Sequence, residues 1–445
     1  MFSRMAGLPE SRGYFRFGRD VICFGNYSGR QVSNSPEGEL HDAGEDVRTL
    51  DGKVCLQFDP AEVIENLRNE IYAAEKGKSR NSVVARLYYF VRPLLPVPVR
   101  KHLQKFHLRG WDKVDFPRWP VDCSVESLFE EMMLLCLRAS GAEKIPFIWF
   151  WPEGSSGCAI MTHDVESQFG KDLCSNLMDV DESYGIKSSF QLIPEERYDV
   201  TESFLESFRR RQFEVVVHDL NHDGHLYDDH EQFLERAAKI NAYRMKFGAE
   251  GFRAGILYRN QKWFNALSFS YDMSVPNVAH LDPQHGGCCT VMPYFVGDLL
   301  EIPVTTVQDY TLFNILNDYS LNIWDRQIES ILKKHGMMSF IIHPDYIQKD
   351  HELATYRALL DRLAALRSDK GVWIALPGEV NRWWRDRAKM SLIDRGHGWE
   401  IEGEGRERAR IAYASEENGR VVFKLEEPAA PGAIGVEKRG AAASH

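Results

Sequence analysis

The sequence predicts an α/β protein whose centre is a set of parallel βα units, arranged as a barrel more readily than as an open sheet. Three observations predict it. From Ile145 to about Arg385, short apolar strands alternate with longer amphipathic stretches, the texture of strand–crossover–strand units. The strand-like runs, such as Val215, Val216 and Val217, are β-branched and apolar, as buried strands are. Several of them hand over to polar residues, and barrels of this kind place their working side chains where strands become loops. Roughly seven or eight such units over about 230 residues suit a barrel.

The expected strands are 158–162, 188–192, 213–217, 251–253, 300–305, 338–342 and 371–375, with helices such as 232–247 and 324–335 between them. Domain limits of 145–385 follow for the barrel. Before it, residues 1–50 are rich in glycine, serine and charge and read as poorly structured. Residues 51–144 read as an α-rich extension. A helical face recurs over 60–76 (Val63, Ile64, Leu67, Ile71), and Ser124 is placed to cap a helix running to a stop at Gly141. Its apolar residues lie nearly all round, so it should be buried.

Between these helices, 83–111 mixes Leu87, Tyr88, Tyr89 and Phe90 with Arg86, Arg92, Arg100 and Lys101, and Pro93, Pro96 and Pro98 interrupt it. It reads as an arm packed on the main domain; the sharper alternative is an amphipathic contact with a membrane surface or a partner enzyme. After the barrel, 386–425 alternates like strands, with Asn418-Gly419 as a hairpin turn, and reads as a small structural β appendage. Residues 426–445, rich in alanine and glycine, read as a disordered tail.

Composition excludes some classes. A net charge of −11 argues against a nucleic-acid partner, which would select a basic face. The 8 cysteines form no CxxC pair and read as buried free thiols of a reducing compartment. The first fifteen or so residues lack the apolar core of a signal peptide, and no window reaches about 18 apolar residues, so the expectation is cytoplasmic residence.

The chemistry concentrates at the strand ends. His218 and His222, four residues apart, can converge on one ion from a helical turn or a strand-end loop. Two imidazoles and a carboxylate leave a position on Zn²⁺ for water, a second carboxylate can act as base, an arginine can hold that base ionised, and a histidine can protonate a leaving group. The strand ends supply these types: His163-Asp164-Val165-Glu166, His218 to His222, Arg253, Tyr271-Asp272 and His343-Pro344-Asp345. His163 and His225 read as supporting or surface groups, and Asp219 and Asp223 as residues that orient the imidazoles or are simply solvated.

These stretches resemble, in order, the motifs of the polysaccharide deacetylases, the NodB-homology family of carbohydrate esterase family four. Thr162-His-Asp164-Val-Glu166 is similar to the first motif, His218-x-x-x-His222 to the second and Phe252-Arg253-Ala254-Gly255 to the third. Tyr271-Asp272-Met-Ser274 is similar to the fourth and Ile342-His343-Pro344 to the fifth. The resemblance covers neither the first 140 or so nor the last 60 or so residues. It implies a distorted deacetylase-type (β/α) barrel, one divalent metal, most often zinc, and hydrolysis of acetyl groups on the N-acetylated sugars of a polysaccharide or its precursor; the partner of the arm at 83–111 would then be a polysaccharide-assembly machine at the inner membrane. By position, Asp164 would be the general base, His343 the general acid, Arg253 the tether of the base, and Asp272 part of the supporting polar shell. A backbone N–H after Arg253 would stabilise the oxyanion. His218 and His222 would be metal ligands. Val165 stands where the family has a second adjacent aspartate, so Glu166 would supply the third ligand, as in members whose two acids are separated by one residue. Gly255 replaces the usual proline, which should loosen that loop. Two other readings fit the same residues: a carbohydrate-binding or scaffold barrel without metal, and a hydrolase of another acyl ester or non-sugar amide.

Overall fold

The computed structural model describes residues 2–4, 9–18, 21–50, 53–76, 113–114, 116–279, 284–396 and 398–426. The arm at 83–111 and the tail from 427 lie outside them.

The N-terminal segment is packed, contrary to its composition. It holds β1 (Phe2–Arg4), β2 (Glu10–Phe17), β3 (Val21–Ser28), β4 (Arg48–Leu50) and β5 (Lys53–Leu56). β2 and β3 form an antiparallel pair, and β1, β5 and β4 a small mixed sheet. Glycine and charge occupy turns and outer positions, while Tyr14, Phe15, Phe17, Phe24 and Tyr27 are buried. The Phe15 ring lies 4.9 Å from Tyr27 and 5.0 Å from Phe58. Here a handful of rings supplies a core that average composition concealed.

Helix α1 (Pro60–Arg68) is capped by the Asp59 carboxylate and buries Val63, Ile64 and Leu67. The one helix expected over 60–76 is two, because Glu70 adopts a φ of +55° before α2 (Ile71–Lys76). Helix α3 (Ser124–Ser140) ends at a left-handed Gly141, as expected. Its cap differs: Asp122, not Ser124, is the acceptor, taking the Ser124 N–H at 2.9 Å.

The barrel follows: β6 (Lys144–Ile148), β7 (Cys158–Val165), α4 (Gln168–Ser183), β8 (Ser189–Leu192), α5 (Glu202–Arg210), β9 (Glu214–His218), α6 (His230–Phe247), β10 (Gly251–Arg253), β11 (Tyr271–Asp272), β12 (Tyr294–Val296), β13 (Leu299–Glu301), α7 (Asn322–Leu332), β14 (Met337–Ile342), α8 (Asp350–Lys370), β15 (Trp373–Ala375) and α9 (Pro377–Lys389). The order across the sheet is β12-β13-β11-β10-β9-β8-β7-β14, parallel apart from β12. The central β7 is buried along its whole length. One of its edges pairs with β14; the other is shared, with β15 against Cys158–Ile160 and β8 against Thr162–Val165.

Closure is irregular. The strand expected over 300–305 leaves the ladder after Glu301 and bridges Pro276 at Val304. Thr305 and Thr306 then donate their hydroxyls to the Met337 and Ser339 carbonyls of β14, both at 2.7 Å. Side chains thus stand in for part of a backbone ladder, and the (β/α) barrel is distorted in that sense.

On β7, neighbouring residues face opposite ways. His163 meets Asp181 of α4 at 2.9 Å, and Asp181 also accepts from Ser188 (2.6 Å) and from Tyr356 of α8, all of them buried. His163 is therefore a packing histidine. The C-terminal strands are β16 (Ser391–Asp394), β17 (Trp399–Glu402), β18 (Ile411–Glu417) and β19 (Arg420–Leu425). β18 pairs with both β19 and β6, so β6 belongs to this sheet and not to that of the barrel, while β16 and β17 pair with each other. All eight cysteines are free, and most are buried. Among the described residues no helix is long and apolar enough to cross a membrane.

Candidate active site

Parallel strands bring their C-terminal ends to one mouth, and the polar handovers meet there. β7 delivers Asp164 and, just beyond it, Glu166; β9 delivers His218 and its loop His222; β10 delivers Arg253; β14 delivers His343. Glu166 Oε1 lies 3.0 Å from His222 Nε2, 3.4 Å from His343 Nε2 and 3.8 Å from His218 Nε2. Asp164 Oδ2 lies 3.8 Å from His218 Nε2. Glu166 with His218 and His222, and Asp164 with Glu166 and His343, are both close enough to share an ion.

The donor set fits a divalent metal. His218 Nδ1 is hydrogen-bonded to the Arg253 carbonyl at 3.0 Å, which turns Nε2 towards the cluster. The Nε2 atoms of His218 and His222 are buried with no hydrogen bond. Leaving two such atoms bare is costly, and both lie beside one carboxylate. An ion with two nitrogen ligands and one oxygen ligand satisfies all three groups. Val165 is buried in the apolar core, and Glu166 is the acid that faces the imidazoles.

Asp164 and Arg253 form a buried pair, Nη1 to Oδ1 at 2.5 Å. Arg253 is fully enclosed and also donates to Thr162 Oγ1 (2.8 Å) and the Met273 carbonyl (3.1 Å), so its position is fixed. Burial alone would raise the Asp164 carboxyl, but the charges of Arg253, His218 and His343 outweigh it and hold it below the usual range. For His343, burial would favour the neutral ring; Asp309 and Glu166 outweigh this and keep it protonated well above its usual range.

Asp309 is the residue that sequence reasoning missed. Its Oδ1 takes His343 Nδ1 at 2.7 Å and its Oδ2 takes the His343 N–H at 2.7 Å. The only signal was another polar handover, Gln308-Asp309-Tyr310, after the strand expected at 300–305. Asp272, expected in the supporting polar shell, is not among the groups close enough to share an ion. Its oxygens accept from Ser274 N (2.8 Å) and Ser274 Oγ (2.9 Å), so the side chain is spent on the turn after β11. Ser274 Oγ in turn accepts from Ala254 N at 2.9 Å, so Asp272 supports the site through the backbone beside Arg253.

Gly255 corrects another expectation. A Cβ there would lie 2.5 Å from Asp219 Oδ2 and 2.9 Å from His222 Cδ2, so glycine lets the loop pack against the ligand loop and does not slacken it. Gly255 N donates to Asp219 Oδ2 (3.3 Å), Leu257 N to Ala254 O (3.3 Å) and Tyr258 N to Gly255 O (3.2 Å). Ile256 and Leu257 are both left-handed, with φ of +60° and +54°, an outlying conformation for a β-branched residue such as isoleucine. Neither Asp219 nor Asp223 hydrogen-bonds an imidazole of the cluster; Asp223 pairs with Arg236 instead. His225 is exposed beside Asp228.

No protein-family model and no curated protein matches the chain. Several solved structures resemble it. One from Mycobacterium smegmatis, named as a polysaccharide deacetylase, shows 17% identity and a TM-score of 0.43, covering 55% of this chain and 95% of its own. Puue allantoinase shows 11% identity and a TM-score of 0.40, covering 53% and 92%. A family 4 carbohydrate esterase from Streptomyces lividans, in complex with acetate, shows 13% identity and a TM-score of 0.30, covering 50% and 93%.

Proposed function

We propose that this protein is a metal-dependent hydrolase that removes acetyl groups from N-acetylated sugars of a polysaccharide or its precursor. The observation that carries the reading is the pair of orphaned imidazole nitrogens facing one carboxylate, with a tethered base and a tethered acid on either side. Glu166, His218 and His222 would hold the ion, with zinc the first candidate. Such an ion supplies Lewis acidity, polarising an acyl carbonyl and lowering the pKa of a water.

The chain's own groups do the rest. Asp164, kept ionised and oriented by Arg253, accepts a proton from the attacking water. The Ile256 N–H, on the left-handed turn after Arg253, is the donor we assign to a developing oxyanion. His343, held through Nδ1 by Asp309, presents a protonated Nε2 to the departing amine. The C–N bond breaks, and acetate and a free amine leave.

The test begins with metal content. We expect about one zinc per chain after purification or incubation, lost in His222→Ala, and release of acetate from a panel of N-acetylated sugars. Zinc uptake with turnover of O-acetyl esters or simple amides alone would move the substrate to another acyl compound. Failure to take up any divalent ion would leave the non-catalytic barrel as the better reading.

A further inference from the structure

We propose that Glu70 and Arg259 are positioning residues for the hydrolytic site, which makes the α1–α2 junction a working part of that site. The inference rests on the hydrolase reading for its activity arm only.

The argument starts from Arg259, at the end of the loop that follows Arg253. Its Nε donates to Glu70 Oε2 at 2.7 Å and its Nη2 to Glu70 Oε1, a fork-to-fork pair between residues 189 positions apart. Both are nearly enclosed, Arg259 at 4% and Glu70 at 9% exposure. The third arm of the guanidinium, Nη1, donates to the Leu257 carbonyl at 3.0 Å. Arg259 therefore grips one of the two left-handed residues whose backbone borders the metal ligands. Glu70 reaches it only because its own φ of +55° breaks the helix there.

The clamp has further arms. Glu70 Oε1 accepts the Gly287 N–H at 2.6 Å, and Gly286 leaves room for that carboxylate, since a Cβ on it would lie 2.3 Å from Oε1. Gln284 exchanges two hydrogen bonds with the Arg259 backbone, both at 3.0 Å, and Gln261 Nε2 reaches the Arg68 carbonyl at 2.9 Å. On the other side of the loop Gly255 is wedged against Asp219 and His222.

A buried ion pair is a poor device for stability alone, because an apolar pair of similar volume often does as well or better. What the fork supplies is direction, fixing a carbonyl and hence the peptide planes next to it. The chain of contacts runs from Glu70 to Arg259, to the Leu257 carbonyl, and so to the left-handed pair at Ile256 and Leu257.

Two variants of the full-length protein test this: Glu70→Gln, and the double variant Glu70→Leu with Arg259→Met, which exchanges the pair for apolar volume. For each, zinc stoichiometry, hydrogen exchange of the 254–259 amides and the separate kcat and KM on an N-acetylated sugar are measured. We expect zinc binding to be kept, exchange at 257–258 to quicken by tenfold or so, and kcat to fall by about tenfold to a hundredfold with KM little changed. Arg259→Lys should not rescue, since a point charge cannot hold both Glu70 and Leu257. Wild-type exchange and wild-type kcat in the folded double variant would overturn the proposal and leave the pair a packing feature. If the double variant does not fold, Glu70→Gln decides by the same readouts. An inactive wild type would count against the hydrolase, while the exchange measurement would still decide the clamp.

Discussion

Around Phe15, the N-terminal segment is built from rings in tilted contact, with Tyr27 and Phe58 about it. At the barrel mouth Asp164, His218, Arg253 and His343 are buried almost as deeply, yet all of them are polar. The first region gains from burial directly. The second is costly to bury, and each group there is kept by a partner that fixes its direction: Arg253 for Asp164, Asp309 for His343, the Arg253 carbonyl for His218. The difference teaches that seclusion alone does not mark a site. Polar seclusion with two nitrogen atoms left unpaired does.

That contrast can be broken experimentally. The largest effect should come from Asp164→Asn, which keeps shape and removes the base: hydrolysis should fall by about 10²–10⁴-fold, beyond the about 3–5 kcal/mol of stability lost by leaving the buried Arg253 charge without its partner. Full hydrolysis in the folded variant would mean that the pair with Arg253 is chiefly structural. Phe15→Ala should act on stability alone, costing about 3–5 kcal/mol in denaturant unfolding, while the protein that remains folded keeps its zinc content.

Glu126 of α3 lies between the two extremes. It accepts from Thr290 Oγ1 and, at 3.2 Å, from Val291 N, with Arg68 nearby. Burial raises its carboxyl from 4.5 to about 7, against the opposing pull of Thr290 and Arg68. The folded state then holds a proton that the unfolded chain has lost between those two values. Stability should fall as pH rises from about 4.5 to about 7 and level off above, by an order-of-magnitude 3 kcal/mol in all. Melting curves across that range check it, and Glu126→Gln should remove this part of the slope. The smallest effect is expected from Gly255→Ala. Its methyl meets Asp219 and His222, and it should cost about 1–3 kcal/mol, read as weaker zinc binding more than as a lower melting point.

Much of the barrel was legible because its strands are apolar and end in polar residues, and both features are local. Expected strands such as 251–253 and 338–342 agree with β10 and β14 to within a residue. β11 escaped because two residues carry no periodicity, and its identity as a strand comes from its neighbours. The site cluster could be read from residue types at strand ends, which parallel topology then brings together. Asp309 and Glu70 could not. Each acts across a large sequence separation, on His343 and Arg259, and nothing near them in the chain says which way the carboxylate points. The N-terminal core was hidden for the opposite reason: its glycines and charges dominate the average, while the few rings that do the packing do not.

One further consequence lies in β7. His163 and Asp164 are neighbours, one answering Asp181 and the other Arg253 on opposite faces of the same strand. A slip of one position would exchange them, setting an aspartate against an aspartate on one side and a histidine against an arginine on the other. A misregistered chain is thus opposed by charge on both faces at once. The aspartate that the mouth requires also proofreads the assembly of the strand that carries it.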